Sequence, residues 1–373
     1  MKIGLLTSSR ADYGIYGPLV EALKKEQDIA LHLIVFGMHL LDIHGHTIDH
    51  IDQNGVIIHI VYGMPEEDTA EHITSGYGQL VQNFSEFWSK ASFDLVLTLG
   101  DRWEMSAAIQ SSIQFEVPLA HIHGGETTLG ATDNIYRHQI TLASKLHFTS
   151  NQNFTEKVIE LTGTSDHVHT VGSISLQGLD KMSLPDWPRI MSEFDIPFQD
   201  FILVTVHPET VGSENNEDYV SVIRQVIESN VEQHNFLITK SNADLQGMIY
   251  NRVFENLAIK YNGRVRLVAS LGKLNYFAAM KNCDFLLGNT SSGIIEAASF
   301  GKWVVNIGER QKGRLRSGNV LDVPYDLIKI NESIETVASK GGFSGENIYQ
   351  SPDTVSRIIA LIKTYVHKNL KEI

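Results

Sequence analysis

Short apolar runs alternate with longer amphipathic stretches along almost the whole chain, and this alternation leaves few folds open. In the first half, Ile3–Leu6, Leu31–Phe36, Val56–Val61, Leu95–Leu99, Leu119–Ile122 and Leu146–Thr149 read as strands. Between them, Tyr16–Lys25, Ala70–Lys90, Glu104–Phe115 and Asn134–Ala143 read as helices. Such a βα order predicts a parallel sheet with helices on both faces. Near residues 175–200 the period loosens, and Met182-Ser-Leu-Pro-Asp-Trp-Pro188, with its two prolines, reads as a linker. Alternation then restarts with strands at Phe201–Val206, Phe236–Ile238, Val265–Val268, Phe285–Leu287 and Val304–Ile307. Helices are expected near Tyr219–Glu228, Leu274–Met280 and Ile294–Phe300, and finally over Thr354–Lys368. The fold class is therefore α/β, with two Rossmann-like doubly wound domains, 1–175 and 176–353, expected to face each other across a cleft.

A chain of 373 residues is long enough for two such cores. No apolar run reaches the roughly 18 residues of a membrane span, and the N-terminus enters a short strand directly, without a signal-peptide pattern. The one cysteine, Cys283, excludes an internal disulfide, and its apolar neighbours make it a core residue. These features predict a cytoplasmic protein with no membrane partner. A net charge of −14 argues against nucleic acid as a bulk partner. Local basic clusters remain at Arg10, at Arg102 and from Arg310 to Arg316, and these suit a small anionic ligand.

Ligands of open α/β sheets bind beyond the carboxyl ends of the strands. Three runs end there in ionisable residues. Leu97-Thr-Leu-Gly-Asp-Arg-Trp-Glu104 presents Asp101 and Arg102, Leu119-Ala-His-Ile-His-Gly-Gly-Glu126 delivers Glu126, and Leu203-Val-Thr-Val-His-Pro-Glu209 delivers His207. Asp133 closes the small polar loop Thr127–Thr132, either as a helix cap or as a third carboxylate beside Asp101 and Glu126. Crowded carboxylates shift one another's pKa and can supply an acid and a base to one pocket.

Thr7-Ser-Ser-Arg-Ala-Asp-Tyr-Gly14 lacks the glycine pattern of a dinucleotide loop, so a nicotinamide cofactor loses support. It suits either a phosphate or an ordinary helix cap. Gly288-Asn-Thr-Ser-Ser-Gly-Ile-Ile-Glu296 could hold a diphosphate on its hydroxyls and N–H groups, with Glu296 placed for ribose hydroxyls. The same spacing also describes a serine cap followed by a first-turn glutamate. Glu309-Arg-Gln-Lys-Gly-Arg-Leu-Arg316 is either a solvated charge run or a polyanion clamp. The pairs His44/His46 and His121/His123 lack the further ligands of a metal site, so no metal is expected. His121 is expected to point into the core, and His123 toward the strand ends.

Taken in order, Ser9-Arg-Ala-Asp-Tyr-Gly14, Gly100-Asp-Arg102, His121-Ile-His-Gly-Gly-Glu126, Asp133 with Arg137-His138, His207-Pro208, Gly288-Asn-Thr-Ser-Ser-Gly293 and Arg310-Gln-Lys-Gly-Arg314 resemble the hydrolysing UDP-N-acetylglucosamine 2-epimerases. These are bacterial sialic-acid pathway enzymes and the epimerase half of a bifunctional animal enzyme. The non-hydrolysing relatives read G-T-R-P-E, E-A-G-L-R and H-R-R-E at three of these places, where this chain has Ser9-Arg-Ala-Asp12, Gly124-Gly-Glu126 and His207-Pro208.

The resemblance implies a GT-B type fold whose last helix, 354–373, rejoins the first domain. It implies that Ser291 and Ser292 bind the diphosphate of UDP, that Glu296 binds its ribose, and that Arg10, Arg102, His207 and Arg314 surround the phosphates. Asp101, Glu126 and Asp133 match the family's catalytic carboxylates, with His207 and Arg314 stabilising the leaving phosphate. The implied reaction removes the C2 proton of UDP-N-acetylglucosamine as UDP departs. Water then adds to the glycal, giving N-acetylmannosamine, with no cofactor. A homodimer or homotetramer is implied. Relatives acting on UDP-2,4-diacetamido-2,4,6-trideoxyglucose carry similar motifs, so that sugar is the alternative substrate. A non-hydrolysing epimerase, a GT-B glycosyltransferase and a non-catalytic UDP-sugar sensor are the remaining rivals.

Overall fold

Seven parallel strands form the sheet of the first unit, in the order β3-β2-β1-β4-β5-β6-β7. They are β1 (Lys2–Thr7), β2 (Ala30–Phe36), β3 (Ile57–Val61), β4 (Leu95–Leu99), β5 (Leu119–Ile122), β6 (Leu146–Thr149) and β7 (Val168–Thr170). The helices between them are α1 (Arg10–Leu23), α2 (Ala70–Trp88), α3 (Trp103–Ser112), α4 (Asp133–Ala143) and α5 (Gln152–Thr162). The computed structural model describes all residues except 68, 128–132, 180–181, 210–212, 242–246 and 370–373, and gives only the backbone of His44, Ser213 and Asn369.

The central strands are buried on both faces, which is why they read as continuous apolar runs. Along β4, Leu95, Leu97 and Leu99 enter one core while Val96 enters the other. Helix α1 begins at Arg10, earlier than the period suggests, because Ser9 and Asp12 form a reciprocal capping box. Gly14, Gly17 and Pro18 are poor helix formers and mask this start in the sequence. The buried face Tyr16, Leu19, Val20 and Leu23 offsets their cost.

Six parallel strands form the sheet of the second unit, in the order β10-β9-β8-β11-β12-β13. They are β8 (Ile202–Thr205), β9 (Phe236–Thr239), β10 (Val265–Val268), β11 (Leu286–Gly288), β12 (Val304–Ile307) and β13 (Val320–Val323). Its helices are α6 (Trp187–Glu193), α7 (Asn216–Asn230), α8 (Gly247–Lys260), α9 (Gly272–Asn282), α10 (Ser291–Ile295) and α11 (Leu327–Ala338). Cys283 lies in its core, where burial pushes the thiol up to about 12.

The stretch expected as a linker is partly helical. Trp187 and Pro188 open α6, where proline lacks only an N–H that the first turn does not use. The Trp187 ring stacks on Phe201 with centroids 5.1 Å apart, and Ile190 is fully buried.

By contacts, the first unit comprises Met1–Glu126, Asp133–Gln177 and Tyr349–Ile373, and the second Thr127–Thr132 and Gly178–Ile348. The last helix, α12 (Thr354–Asn369), belongs to the first unit and lays Val355, Ile358, Ile359, Ile362 and Val366 into its core. Lys363 secures it to Glu26 at 2.6 Å and Asp28 at 2.7 Å. Among the described residues, no helix is long and apolar enough to cross a membrane.

Candidate active site

In the first sheet the chain reverses its direction of progress between β1 and β4, which are paired neighbours. That switch point is where open α/β sheets leave a crevice at the strand ends. The loops after β1, β4, β5 and β6 meet there. After β1, Asp12 occupies the centre of a buried network. It accepts from the backbone N–H groups of Ser8, Ser9 and Tyr13 at 2.8, 3.0 and 2.7 Å and from the hydroxyls of Thr7 and Ser8 at 2.8 and 2.9 Å. Asp12 therefore takes three backbone donors of this turn, and the capping box with Ser9 matches the helix-cap reading of Thr7–Gly14. Arg10 is exposed on the first turn of α1.

After β4, Gly100 turns the chain and Asp101 receives the guanidinium of Arg137, a fully buried residue of α4. Asp101 itself keeps about a fifth of its side chain exposed, at 22%. The next residue, Arg102, pairs through Nε with Glu104, which is completely buried and also accepts from Ser8 Oγ at 3.2 Å. Asp133 opens α4, partly exposed, and acts electrostatically on Arg102 and Tyr136.

After β5, His123 and Glu126 turn toward each other, with Nδ1 2.7 Å from Oε1. Ser150, at the end of β6, donates to the same oxygen at 2.8 Å. His123 holds φ +66, a left-handed conformation that a non-glycine residue adopts at a cost. His121 is fully buried and bonds the Gly100 carbonyl at 2.8 Å and Thr141 at 3.0 Å. Burial lowers its pKa to about 3, so it is a neutral strut beneath the Asp101 turn. Five residues of the Thr127–Thr132 loop, 128–132, lie outside the described residues.

The second sheet has its own switch point between the paired neighbours β8 and β11. His207 follows β8, and its main chain is clasped by Asn289, with Oδ1 accepting from its N–H and Nδ2 donating to its carbonyl, both at 2.8 Å. Its ring nitrogen Nδ1 lies 3.2 Å from Ser241 Oγ. At the end of β11, Gly288 adopts φ +147, and a Cβ there would strike the Thr205 carbonyl. Only glycine lets the two strands come this close before the chain turns into Asn289-Thr-Ser-Ser292.

The cap of α10 is Thr290, whose hydroxyl accepts from Ser292 N at 3.4 Å, so neither serine is the cap. Ser291 and Ser292 are partly exposed in the only full turn of this short helix, and Tyr276 hydrogen-bonds Ser292. Glu296 ends the helix, buried, instead of standing in its first turn. Lys273 lies near it, and burial pulls the Lys273 ammonium below its ordinary range while Glu296 opposes that shift.

The basic loop after β12 divides by role. Arg316 is spent on the loop itself, bonding Asp322 at 2.9 Å and the Gln311 carbonyl at 3.1 Å. Lys312 pairs with Glu309 in solvent. Arg310 and Arg314 are partly exposed. Among the described residues, no group of three His, Cys, Asp or Glu is placed to hold a metal.

Each unit thus gathers its own set at its strand ends: Arg10, Asp101, Arg102, Glu126 and Asp133 in the first, and His207, Ser291, Ser292, Glu296 and Arg314 in the second. Sequence reasoning missed Glu104, Ser150 and Glu209. All three are buried polar groups; Glu104 and Glu209 end runs named above, and Ser150 follows the strand Leu146–Thr149. Arg137 was legible as a motif residue, four positions after Asp133 on one helix face, but its pairing with Asp101 was not.

A model of the UDP-N-acetylglucosamine 2-epimerase family matches residues 21–363. The chain is 31% identical over 376 residues to the polysialic acid biosynthesis protein P7 of Escherichia coli, covering 100% of this chain and 96% of that one. It is also 31% identical to the hydrolysing UDP-N,N'-diacetylbacillosamine 2-epimerase of Legionella pneumophila, covering 97% and 96%. The UDP-GlcNAc 2-epimerase of Neisseria meningitidis, solved with UDP-GlcNAc bound, superposes with a TM-score of 0.81 over 98% of this chain and 100% of that one, at 17% identity. The two doubly wound sheets, the ordered motifs and this match over most of the length lead to one conclusion: the chain belongs to the UDP-N-acetylglucosamine 2-epimerase family.

Proposed function

We propose that this protein is a hydrolysing UDP-N-acetylglucosamine 2-epimerase that converts UDP-N-acetylglucosamine and water to N-acetylmannosamine and UDP. The observation that carries the reading is the pairing of Asp101 with Arg137 and of Glu126 with His123 and Ser150 at neighbouring strand ends. A glycosyltransferase or a sugar-nucleotide sensor would have no use for several structurally supported acids there. Resemblance at about 30% identity to relatives named as hydrolysing 2-epimerases supports the same reading.

The proton at C2 of the sugar is barely acidic, so its removal needs a positioned carboxylate and a stabilised leaving group. One of Asp101, Glu126 and Asp133 takes the C2 proton. The C–H electrons form the C1–C2 double bond, and the C1–O bond breaks with its electron pair leaving on UDP. Water then adds its oxygen at C1, and C2 receives a proton on the opposite face. General base catalysis contributes about 10²–10⁴ in rate, and charge stabilisation of the leaving diphosphate is the larger contribution. In this scheme His207 and Arg314 stabilise that charge, Ser291 and Ser292 bind the diphosphate, Glu296 binds the ribose, and Arg10 and Arg102 add positive charge. The enzyme acts in the cytoplasm, where sugar nucleotides are made, as a homodimer or homotetramer.

A second reading keeps the chemistry and changes the sugar. The Legionella relative is named for a diacetamido substrate and is as similar to this chain as the E. coli protein is. Proton NMR in D₂O with UDP-N-acetylglucosamine tests both. Free UDP with N-acetylmannosamine deuterated at C2 is the expected result. Equilibrium with UDP-N-acetylmannosamine and no free sugar would replace hydrolysis by simple epimerisation. Turnover of only the 2,4-diacetamido sugar nucleotide would move the substrate assignment to the second reading.

A further inference from the structure

We propose that Glu209 is a positioning residue that sets the loop Glu309–Arg316 for the diphosphate, an inference that rests on the UDP-sugar reading above. Glu209 stands two residues after His207 and is almost wholly buried. Its main chain is fixed on both sides by Asn216, with Glu209 N–H donating to Oδ1 at 2.9 Å and Nδ2 donating to the Glu209 carbonyl at 3.0 Å. Tyr250 braces the same Asn216 oxygen through its hydroxyl at 3.2 Å.

From this fixed base the carboxylate reaches a segment a hundred residues away. Oε1 accepts the backbone N–H groups of Glu309 at 3.0 Å and Arg310 at 3.1 Å. The approach depends on Gly308, which turns the chain at φ +77. A Cβ at that position would run into both the Glu209 carboxylate and the Tyr325 ring. The far side of the loop is held independently, by Arg316 on Asp322 and by Gln311 Nε2 on the Asn289 carbonyl at 2.9 Å. Asn289 is the same residue that clasps His207. The loop is therefore held at both ends, and the residue Glu209 grips is the arginine that begins the basic run.

This grip is costly. Burial raises the pKa of Glu209, against the pull of its two N–H donors and of Arg310. Oε2 is buried with no hydrogen-bond partner among the described residues. A group that only filled space would gain from being apolar. The acid gains its use from ordering consecutive backbone nitrogens at the entrance of an arginine loop.

The test compares ligands with and without the diphosphate. Binding of UDP is measured by calorimetry and of uridine by NMR titration, for the wild type, Glu209→Ala, Glu209→Gln and Gly308→Ala. Glu209→Ala is expected to weaken UDP by at least about tenfold while uridine stays within about twofold. Gly308→Ala, which displaces the carboxylate, should reproduce that selective loss. Glu209→Gln, whose amide oxygen can accept the same two N–H groups, should keep UDP within about threefold of wild type. Should Glu209→Ala fail to fold, Gly308→Ala and Glu209→Asp, too short to reach, carry the same expectation. Unchanged UDP affinity in these variants, or equal weakening of UDP and uridine, would overturn the positioning role alone. A wild-type protein that binds uridine and UDP equally weakly would overturn the UDP-sugar reading and this proposal with it.

Discussion

Arg137, buried in α4, donates its guanidinium to Asp101 at the end of β4, so a partly exposed acid at the first switch point is held by a cation that solvent does not reach. The pair fixes the carboxylate's direction without hiding it. Under the proposed reaction, Asp101→Asn keeps the shape and removes the proton acceptor. Its kcat should fall by at least about 10²-fold, with UDP binding by calorimetry unchanged. Turnover within a few-fold of wild type would remove Asp101 from the proton transfers.

Glu126 is supported differently, by an imidazole and a hydroxyl and not by a guanidinium. His123 and Ser150 both address Oε1. Under the proposed reaction, Glu126→Gln should abolish turnover. Ser150→Ala removes one hydroxyl hydrogen bond to the carboxylate, worth about 1.5–3 kcal/mol, and should lower kcat by roughly ten- to a hundredfold with KM little changed. A loss in Ser150→Ala as deep as that in Glu126→Gln would mean that the serine itself touches the reacting atoms.

Much of this arrangement is legible in the sequence where it depends on local pattern. Central strands such as β4 are buried on both faces and announce themselves as unbroken apolar runs. Their ends place Asp101, Glu126 and His207 by simple continuation of the chain. Two of the four edge strands, β7 and β13, are harder to read. Val168-His-Thr170 is only half-buried, and Val320-Leu-Asp-Val323 carries an acid, so neither stands out as a run. Helix α5 shows just Phe154, Thr155 and Val158 to the core and is similarly quiet. Pairings made through the tertiary fold are invisible to any local reading. Arg137 meets Asp101 across 36 positions, and Glu209 meets the Arg310 backbone across 101.

The Arg102–Glu104 pair is unequal, and the inequality predicts a thermodynamic signature. Glu104 is wholly buried, whereas Arg102 keeps 42% of its side chain exposed. Removing the arginine strands a carboxylate away from water, while removing the carboxylate frees an arginine that can hydrate. Arg102→Gln should cost about 3 kcal/mol of unfolding free energy, and Glu104→Gln clearly less. The double variant, with no stranded charge, should be more stable than Arg102→Gln. Denaturant melts of the three variants decide this, and additive losses would show that the pair is not coupled.

Three buried histidines of the first unit tie its stability to pH. Burial is the leading cause of each shift, holding His32 at about 4, His121 at about 3 and His147 at about 4, against an ordinary value of 6.5. For His32, the Lys2 ammonium and the His59 ring, 2.8 Å away, add to the effect. A histidine whose folded-state value lies below its unfolded value takes up a proton on unfolding. The stability it contributes is therefore fully present above pH 6.5 and is lost as the pH falls from 6.5 toward 4. Near pH 5 the three together should bind roughly two to three extra protons in the unfolded state, and stability should fall with a matching slope. Melts between about pH 7.5 and pH 5 measure that slope. His147→Leu, which removes a buried ring with an unpartnered Nδ1, should flatten it by about one proton. A slope unchanged in His147→Leu would show that this ring is already protonated in the folded protein or stays neutral in the unfolded one.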